Sequence, residues 1–249
     1  MRLLLMCDGQ VGGGIADWLM ENHFRDLGAV VTTAENATYV AAQAKGIPTF
    51  LYQSVTQVIA DLASIPRCTL GMLAWWPKLI SKELLTVTDD GFINTHPSLL
   101  PFSRGKHYNF WTLVEQNPFG VSLHFVDEGI DSGDIVAQLP VQYGWEDTGG
   151  TLYAKAAQAM IDLFKNVYPY IRTHELPRIK QDLSKGNIHY AKEIDEASRI
   201  DLDKTYSARE LINLLRARTF PGHPACWFDA DGATYEITLS IKQKTTCQP

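Results

Sequence analysis

The stretch Gly91-Phe-Ile-Asn-Thr-His-Pro-Ser-Leu-Leu-Pro-Phe-Ser-Arg-Gly105 contains a short apolar run that ends in an amide and an imidazole. Asn94 and His96 are two residues apart, so their side chains point to the same side of an extended segment. Pro97 and Pro101 follow, and each fixes its own φ angle. The stretch therefore predicts the end of a strand that presents two polar groups and continues into a stiff loop.

A second stretch, Gly120-Val-Ser-Leu-His-Phe-Val-Asp-Glu-Gly-Ile-Asp-Ser-Gly-Asp134, combines a strand pattern with a glycine-rich turn. Its apolar residues alternate with Ser122 and His124, which predicts a strand with one wetter face. Asp131 lies between two glycines, which allow the backbone to approach a ligand closely. Ile135–Tyr143 follows at once, and we expect it to pair with the first strand as a hairpin.

Continuous apolar runs alternate with helical patterns in the first half of the chain. The runs are Arg2–Cys7, Ala29–Thr33, Pro48–Tyr52 and Thr69–Ala74. Because they are apolar throughout, both faces of each predicted strand are covered, which is typical of parallel sheets. The order predicts an α/β fold, with a doubly wound, mostly parallel, Rossmann-like sheet and a ligand crevice at the carboxyl ends of its strands. Asn94 and His96 are expected at that edge.

The chain changes character near residue 180. Before this point, a long helix is predicted over Thr151–Tyr170. After it, Ser207-Ala-Arg-Glu210 forms a capping box that opens a helix through Arg216. Two apolar runs around Asp229-Ala-Asp-Gly232 predict a β-hairpin. We expect one domain over residues 1–180 and a small α+β appendage over residues 181–249, whose hairpin packs on the main domain or on a second subunit.

The composition narrows the class of protein. A chain of 249 residues with 45% apolar content can bury the core of one large domain with a small appendage. The net charge of −6 argues against nucleic acid or an anionic membrane as the main partner. No window is apolar enough for a membrane span. The four cysteines lack CxxC spacing, so we expect reduced thiols in a cytoplasmic protein; they are Cys7, Cys68, Cys226 and Cys247.

A glycine cluster, Gly9-Gln-Val-Gly-Gly-Gly-Ile-Ala16, follows the first predicted strand. It suggests a dinucleotide-binding loop, but Asp17 stands where the third glycine of GxGxxG belongs. Glu35 is only a loose equivalent of the acidic residue that binds the ribose in such enzymes. A tight turn between strand and helix is the simpler interpretation, and an NAD-dependent oxidoreductase stays an alternative.

Asn94, His96 and Asp131 together match the needs of acyl transfer to an amine. An imidazole can take a proton from the incoming amine and return one to the departing nitrogen. A side-chain amide can donate to the oxyanion, and a carboxylate can orient the imidazole. Taken singly, each of the three could be an ordinary turn or loop residue. The seven histidines lack HExxH or comparable spacing, so we expect no metal site.

Phe92-Ile-Asn-Thr-His-Pro-Ser-Leu-Leu-Pro101 and the stretch from Gly120 to Gly133 resemble the signature of the N10-formyltetrahydrofolate-dependent formyltransferases. The resemblance extends over roughly residues 1–175 and implies that Asn94, His96 and Asp131 are catalytic. It also implies that His124 holds the loop of the aspartate. A formyltetrahydrofolate hydrolase on the same fold, in which water replaces the amine, is the nearest alternative.

The finer resemblance is to the nucleotide-sugar N-formyltransferases, especially those acting on dTDP-4-amino-4,6-dideoxyglucose for O-antigen biosynthesis. It depends on Ala74-Trp-Trp-Pro-Lys78, Arg104-Gly-Lys-His-Tyr-Asn-Phe-Trp111 and Arg216-Ala-Arg-Thr-Phe-Pro-Gly-His223. It implies a homodimer formed through the C-terminal region, with no nucleic acid and no membrane as partner. Whether the amine is at C3 or C4, and whether the nucleoside is dTDP or UDP, stays open.

The resemblance also implies binding residues. N10-formyltetrahydrofolate, as co-substrate, brings a flat apolar pterin, which an aromatic wall and a hairpin loop would suit. We expect one tryptophan of the Trp75-Trp76 pair to line this pocket and the other to pack in the core. The predicted folate residues are Trp76, Pro77, Lys78, Ile80, Val126 and Asp127.

A dTDP-amino sugar needs cations for its diphosphate and an aromatic face for thymine. The cation candidates are Arg104, Lys106, Arg216 and Arg218, and the aromatic candidates are Tyr108, Trp111 and Phe220. Gly105 and Asn109 complete the predicted substrate set. A solvated charged surface is the alternative interpretation of Lys106 and Arg218.

Overall fold

The computed structural model describes residues 1–244, so the expectation for Cys247 lies outside the described residues. The strands are β1 (Leu3–Cys7), β2 (Leu27–Thr32), β3 (Thr49–Leu51), β4 (Leu70–Ala74), β5 (Phe92–His96), β6 (Arg104–Gly105), β7 (Gly120–Phe125), β8 (Ile135–Pro140), β9 (Ile188–His189), β10 (Cys226–Ala230) and β11 (Ala233–Ile237). The α-helices are α1 (Gly9–Asn22), α2 (Ala37–Ala44), α3 (Val55–Ala63), α4 (Lys82–Leu85), α5 (Tyr108–Glu115), α6 (Gly149–Thr173), α7 (Ile194–Ala197) and α8 (Ala208–Arg218).

One sheet has the strand order β3-β2-β1-β4-β5-β7-β8. β1 pairs in parallel with β2 and β4, β2 pairs in parallel with β3, and β4 pairs in parallel with β5. β5 and β7 are antiparallel. The strand order reverses at β1, so the carboxyl ends of β1 and β4 form a topological switch point. The predicted doubly wound, mostly parallel α/β fold is confirmed.

Burial explains the apolar runs and corrects one expectation. Every residue of β1, β2 and β4 is buried, as a sheet covered on both faces requires. β7 is buried throughout as well, so the prediction of a wetter face is wrong. Its polar side chains are satisfied internally: Ser122 Oγ accepts from Gln138 Nε2 at 2.9 Å, and His124 Nδ1 lies 2.8 Å from Phe125 O.

The glycine cluster forms the first turns of α1 instead of a loop before it. Asp8 caps the helix and accepts from Gly9 N, so the helix begins at the first glycine of the cluster. A Cβ atom at Gly12 would lie 2.8 Å from Ala74 O and 3.1 Å from Cys7 Cβ. Glycine is therefore needed there because the helix packs directly against the sheet.

α6 passes through Pro169 and ends at Thr173, beyond the predicted Tyr170. A proline inside a helix removes one hydrogen bond, so tertiary contacts must hold the last turn. Asp26 Oδ2 accepts from Tyr168 Oη at 2.9 Å and from Arg172 Nε at 2.7 Å. These contacts on either side of Pro169 explain why the helix continues.

The chain divides into two compact units, each made of separate segments. The first contains residues 1–96, 121–139 and 157–181, and the second contains residues 97–120, 140–156 and 182–249. The end of the first unit at Gln181 lies close to the predicted boundary at residue 180. The two units are nevertheless not the two consecutive blocks expected, because segments before residue 157 belong to the second unit.

The second unit contains the predicted capping box and hairpin. Ser207 Oγ accepts from Glu210 N at 3.2 Å, and Glu210 Oε2 accepts from Ser207 N at 2.8 Å. β10 and β11 are antiparallel and are joined by Asp231 and Gly232, whose φ angles are 52° and 76°. Two consecutive positive φ angles are the signature of a type I′ hairpin turn. β6 and β9 form a further short parallel pair, which the sequence did not reveal.

Candidate active site

Asn94, His96 and Asp131 meet within the first unit at the carboxyl end of β5. His96 Nδ1 lies 3.3 Å from Asp131 Oδ2, and Asn94 Nδ2 lies 3.5 Å from Asp131 Oδ1. The side chains of His96 and Asp131 are only 5% and 16% exposed. Thr95 points the other way, and its hydroxyl donates to Leu73 O at 3.0 Å. Strand alternation therefore brings the amide and the imidazole to one side, next to the carboxylate.

His124 joins this group from the opposite strand. It lies directly across from Asn94 in the β5–β7 register, and it is 2% exposed. His124 Nδ1 lies 2.8 Å from Phe125 O, and a carbonyl oxygen can only accept, so Nδ1 carries the proton. In the neutral ring, His124 Nε2 then accepts from Asn94 Nδ2, 3.2 Å away. This contact orients the Asn94 amide with its nitrogen toward the group.

Asp131 lies in a turn with an unusual backbone. Its φ angle is 49°, in the left-handed region, which costs a non-glycine residue about 1 kcal/mol or more. Nearby, Asp127 Oδ1 accepts from Gly129 N at 3.0 Å and from Ser132 Oγ at 2.8 Å. Asp127, predicted to meet the pterin edge, thus already shapes the turn through its own carboxylate.

The predicted folate residues divide into an apolar group and an exposed group. Trp76, Ile80 and Val126 belong to one apolar cluster of the first unit. Trp76 is the buried tryptophan of the pair and meets Tyr52 edge to face, with ring centres 5.2 Å apart. Within the described residues its Nε1 has no hydrogen-bond partner. Pro77 and Lys78 are exposed.

Trp75 is the half-buried member of the pair, at the carboxyl end of β4. Its φ angle of 47° is exceptional for a bulky residue. Its backbone N–H donates to Thr95 Oγ1 at 2.8 Å, which ties this turn to the strand of Asn94 and His96. The packing role in the core therefore falls to Trp76, the residue that we assigned to the pocket wall.

The amino terminus of α1 carries a carboxylate. Asp8 Oδ1 accepts from Gly9 N at 3.2 Å and from Asn36 Nδ2 at 3.3 Å, and Asp8 Oδ2 accepts from the Thr33 hydroxyl. In dinucleotide-binding folds this is the position of the pyrophosphate. A buried or half-buried carboxylate there repels an anion, so the geometry disfavours the NAD-dependent alternative.

The predicted substrate loop lies in the second unit and begins in β6. Arg104 pairs with Ile188 and Gly105 pairs with His189, and Arg104 Nη2 is 3.4 Å from Gly186 O. Gly105 has a φ angle of 85°, and a Cβ atom there would collide with His189 O. Glycine is therefore required at this position. Lys106 is exposed.

α5 carries the next three predicted residues. Tyr108 is buried, which raises the pKa of its phenol well above the ordinary value. Asn109 is also buried and donates to Gly149 O at 2.9 Å. Trp111 is stacked on His189, with ring centres 3.7 Å apart and planes 7° apart. One face of Trp111 is therefore covered by protein.

Arg216 is an internal residue of the second unit, with 4% exposure. Its Nη1 donates to Gly144 O at 2.6 Å, its Nε donates to Asn213 Oδ1 at 2.9 Å, and its guanidinium lies 4.9 Å from the Trp145 ring centre. Its contacts are those of a structural residue that holds the 144–147 loop. Arg216 was a candidate cation for the diphosphate, but its guanidinium is already bonded within the protein.

Phe220 and Arg218, the remaining substrate candidates, also contact other side chains of the protein. Phe220 packs against Tyr153 and His223, with ring centres 5.2 Å and 4.3 Å away. Arg218 Nη2 is 3.6 Å from Asp195 Oδ1.

Among residues 1–244 no group of three or more His, Cys, Asp or Glu side chains is arranged to hold a metal ion. Nor does any helix in this range have the length and apolarity to cross a membrane.

Comparison with known proteins identifies the family. Residues 20–167 match the family model described as formyl transferase, and residues 193–243 match the one described as N-formyltransferase dimerization C-terminal domain. The chain therefore belongs to the formyl transferase family, and the predicted fold and enzyme class, an N-formyltransferase, are confirmed.

Three relatives illustrate the similarity. A methionyl-tRNA formyltransferase from Anaeromyxobacter dehalogenans is 26% identical over 216 residues, which cover 86% of this chain and 67% of the relative. The crystal structure of a 4-N formyltransferase from Francisella tularensis has a TM-score of 0.83 at 25% identity and 98% coverage of both chains. An N-formyltransferase from Helicobacter canadensis, crystallised with folinic acid and dTDP-3-aminofucose, has a TM-score of 0.74 at 17% identity, covering 93% of this chain and 85% of that chain.

Proposed function

We propose that this enzyme transfers a formyl group from N10-formyltetrahydrofolate to the amino group of a dTDP-linked amino-dideoxy sugar. The observation that carries the proposal is the convergence of Asn94, His96 and Asp131, with His96 Nδ1 3.3 Å from Asp131 Oδ2. The 4-N formyltransferase from Francisella tularensis, similar over 98% of both chains, supports an amine at C4. dTDP-4-amino-4,6-dideoxyglucose is accordingly the proposed substrate.

Two features of the first unit suit a folate ligand: an apolar cluster and a buried hydrogen-bond donor. Ile80 and Val126 are partly buried and pack against Trp76 in one apolar cluster, and their open sides suit the flat face of a pterin. Among residues 1–244 the buried indole N–H of Trp76 has no acceptor, which suits the polar edge of such a ring. Pro77, Lys78 and Asp127 complete the proposed set. When bound, N10-formyltetrahydrofolate supplies the formyl carbon that the amine attacks.

The side chains divide the chemistry among them. His96 Nδ1 faces Asp131, so Nε2 is the ring atom that takes the proton from the attacking amine. Asp131 stabilises the imidazolium that forms and holds the ring in place. Asn94, oriented by His124, exchanges its long 3.5 Å contact with Asp131 Oδ1 for a hydrogen bond to the formyl oxygen as negative charge develops on that oxygen. His96 then returns its proton to the departing nitrogen.

For the nucleotide part we propose Arg104 and Lys106 as the diphosphate ligands. Lys106 is exposed, and the hydrogen bond from Arg104 Nη2 to Gly186 O is long, at 3.4 Å, so both cations can be directed to an anion. Gly105, Tyr108, Asn109, Trp111, Arg216 and Phe220 remain in the proposed substrate set. Asn109 would act there through the start of α6 and Arg216 through the 144–147 loop, because their own donors contact the protein.

The proposal extends to the oligomeric state, the compartment and the pathway of the enzyme. The match of residues 193–243 to a dimerization domain supports a homodimer formed through the C-terminal region. We propose that the enzyme is cytoplasmic and acts in O-antigen biosynthesis, where a dTDP-amino sugar is available. Cys7, Cys68 and Cys226 are free thiols, in agreement with a reducing compartment.

The test is a panel of acceptors with N10-formyltetrahydrofolate, read by mass for the gain of one formyl group. The panel contains dTDP-4-amino-4,6-dideoxyglucose, a dTDP-3-amino sugar, a UDP-4-amino sugar, methionyl-tRNA and no acceptor. We expect formylation of the first, abolished by His96→Ala. Formate release that is equal with and without every acceptor would instead identify a hydrolase, and formylation of methionyl-tRNA alone would reject a sugar substrate. A spectral titration with NADH checks the oxidoreductase alternative, and we expect no binding.

A further inference from the structure

The segment Arg178–Gln181, here called the brace, lies against the hairpin that carries Asp131. Ile179 N donates to Ile135 O at 3.0 Å, and Ile135 N donates to Ile179 O at 2.8 Å. The Arg178 guanidinium lies 3.5 Å from the centre of the Phe125 ring. The brace is therefore bonded to β8 through its backbone and stacked on the last residue of β7 through a side chain.

Gln181 reaches from the brace to the turn itself. Its Nε2 donates to Asp131 O at 2.9 Å and to Gly133 O at 2.7 Å. One side-chain amide thus uses both of its hydrogens on two carbonyls, one on each side of Ser132. Its Oε1 is buried and has no hydrogen-bond partner among residues 1–244, so these two bonds are the side chain's hydrogen-bonding role in the described chain.

The turn needs such support because its backbone is strained. Asp131 has a φ angle of 49°, a conformation that persists only where surrounding contacts over-determine it. A Cβ atom at Gly133 would collide with Phe125 O, so the two arms of the hairpin are already as close as possible. The orientation of the Asp131 peptide decides where its carboxylate points, which is toward His96 Nδ1, 3.3 Å away.

We propose that Gln181 is a positioning residue, which holds the main chain of the Asp131 turn so that the carboxylate faces His96. The inference rests on the proposed function of Asp131. Gln181 lies between the two family matches, which end at residue 167 and resume at residue 193. It is half-buried and contacts the turn through backbone carbonyls alone, so it acts through Asp131 and does not touch the reacting atoms.

Two near-isosteric variants test this role. Gln181→Met keeps the length of the side chain but removes both donors, and we expect kcat to fall about 10–100-fold, because small misplacements of catalytic groups are costly. KM for the amino sugar should change little. Gln57→Met is the matched control, because it removes a glutamine side-chain bond, 2.9 Å to Asp61 Oδ1, on an exposed helix of the same unit. We expect wild-type kinetics from it.

Gln181→Glu adds a readout that a general packing defect would not produce. The ionised carboxylate repels the two carbonyls, whereas the protonated acid can donate to one of them. The ratio of variant to wild-type kcat should therefore rise as the pH falls toward the ordinary range of a glutamic acid. A ratio that is flat with pH, or a Gln181→Met enzyme with wild-type kcat, would overturn the proposal.

Hydrogen exchange separates this inference from the proposed function. Amides of residues 127–134 should exchange faster in Gln181→Met than in wild type and in Gln57→Met, with or without any substrate. If the wild-type enzyme formylates no acceptor, the proposed function fails while the exchange experiment still reports on the brace. Unchanged exchange in this stretch, with activity present in the wild type, would overturn the brace alone.

Discussion

Asn94 and His124 face each other across the β5–β7 register, with Asn94 Nδ2 3.2 Å from His124 Nε2. Because His124 Nδ1 donates to Phe125 O, Nε2 of the neutral ring is an acceptor, and the amide of Asn94 turns its nitrogen toward it. An amide that can flip would present an oxygen to the developing oxyanion half of the time. The second histidine therefore orients the amide that we propose as the oxyanion donor.

Replacing His124 by Phe should disturb Asn94 without removing any of the three catalytic side chains. The phenyl ring fills the site but accepts no hydrogen bond, so we expect kcat to fall about tenfold or more, as when an oxyanion donor is misplaced. Steady-state kinetics with the formyl donor and amino sugar measure this. His174→Phe, at a side chain that is 43% exposed and paired with Asp90, is the control. Equal losses in both variants would contradict the role of His124.

Removing the proposed base should separate chemistry from binding. His96→Ala leaves Asn94 and Asp131 in place, and we expect turnover to fall by about 10²–10⁴-fold, the usual contribution of general acid–base catalysis. Calorimetric titration with the dTDP-sugar should give nearly the wild-type affinity, because the imidazole does not hold the nucleotide. Turnover close to wild type would refute the assignment of His96.

Arg216 and Arg209 offer a matched pair around one indole. Both guanidinium groups lie 4.9 Å from the Trp145 ring centre, but Arg216 is buried and bonded to Gly144 O while Arg209 is exposed. Arg216→Ala removes the donor to Gly144 O and to the buried Asn213 Oδ1, so we expect the free energy of unfolding to fall by about 1–3 kcal/mol. Arg209→Ala should change it by less than about 0.5 kcal/mol. Denaturant titration measures both, and equal effects would contradict a structural role for Arg216.

Unlike Arg216, the proposed diphosphate ligands should contribute to substrate binding and not to stability. Arg104→Ala and Lys106→Ala should raise KM for the dTDP-sugar about tenfold, the effect of losing roughly one charge-assisted hydrogen bond. Single-turnover rates at saturating substrate and melting temperatures should stay close to wild type. The KM effect should shrink at high salt for Lys106, whose side chain is exposed. Unchanged KM in both variants would direct the search to other cations.

Asp147 links the stability of the second unit to pH. Burial alone raises its pKa, but hydrogen bonds from Lys155 Nζ, Gly144 N and Thr151 Oγ1 outweigh burial and hold the pKa below its ordinary value. A carboxyl whose folded pKa is lowered stabilises the protein above its unfolded pKa, and this contribution is lost as the pH falls through the folded pKa. Acid unfolding of Asp147→Asn should therefore depend less steeply on pH below about 4 than that of the wild type.

Three cysteines should be inert in the native protein. Burial raises the pKa of Cys7 and of Cys226 to about 12 and also raises the pKa of Cys68, so the reactive thiolate is scarce at neutral pH. In a Cys247→Ser background we expect a thiol reagent to label none of them before unfolding and all three afterwards. Rapid labelling of the folded protein would show that the core around them opens.

The local patterns in the sequence were sufficient for the architecture and for the placement of Asn94 and His96 at a strand end. Apolar runs such as Arg2–Cys7 predict strands covered on both faces, and the spacing of Asn94 and His96 predicts side chains on one side of a strand. Backbone periodicity and motif spacing are properties of neighbouring residues, so they can be inferred before the chain folds. The capping box at Ser207 was predictable for the same reason.

Only the tertiary structure shows which side chains already make hydrogen bonds or packing contacts within the protein. From the sequence, Arg216 could be a free cation, but it is buried and donates to Gly144 O at 2.6 Å. Likewise, only the contact with Tyr52 identifies Trp76 as the packed member of the tryptophan pair. Gln181 contacts Asp131 across 50 residues of chain, in a charged stretch without any motif. Such contacts depend on how distant segments are brought together, and no local pattern encodes the free energy of a single long-range hydrogen bond.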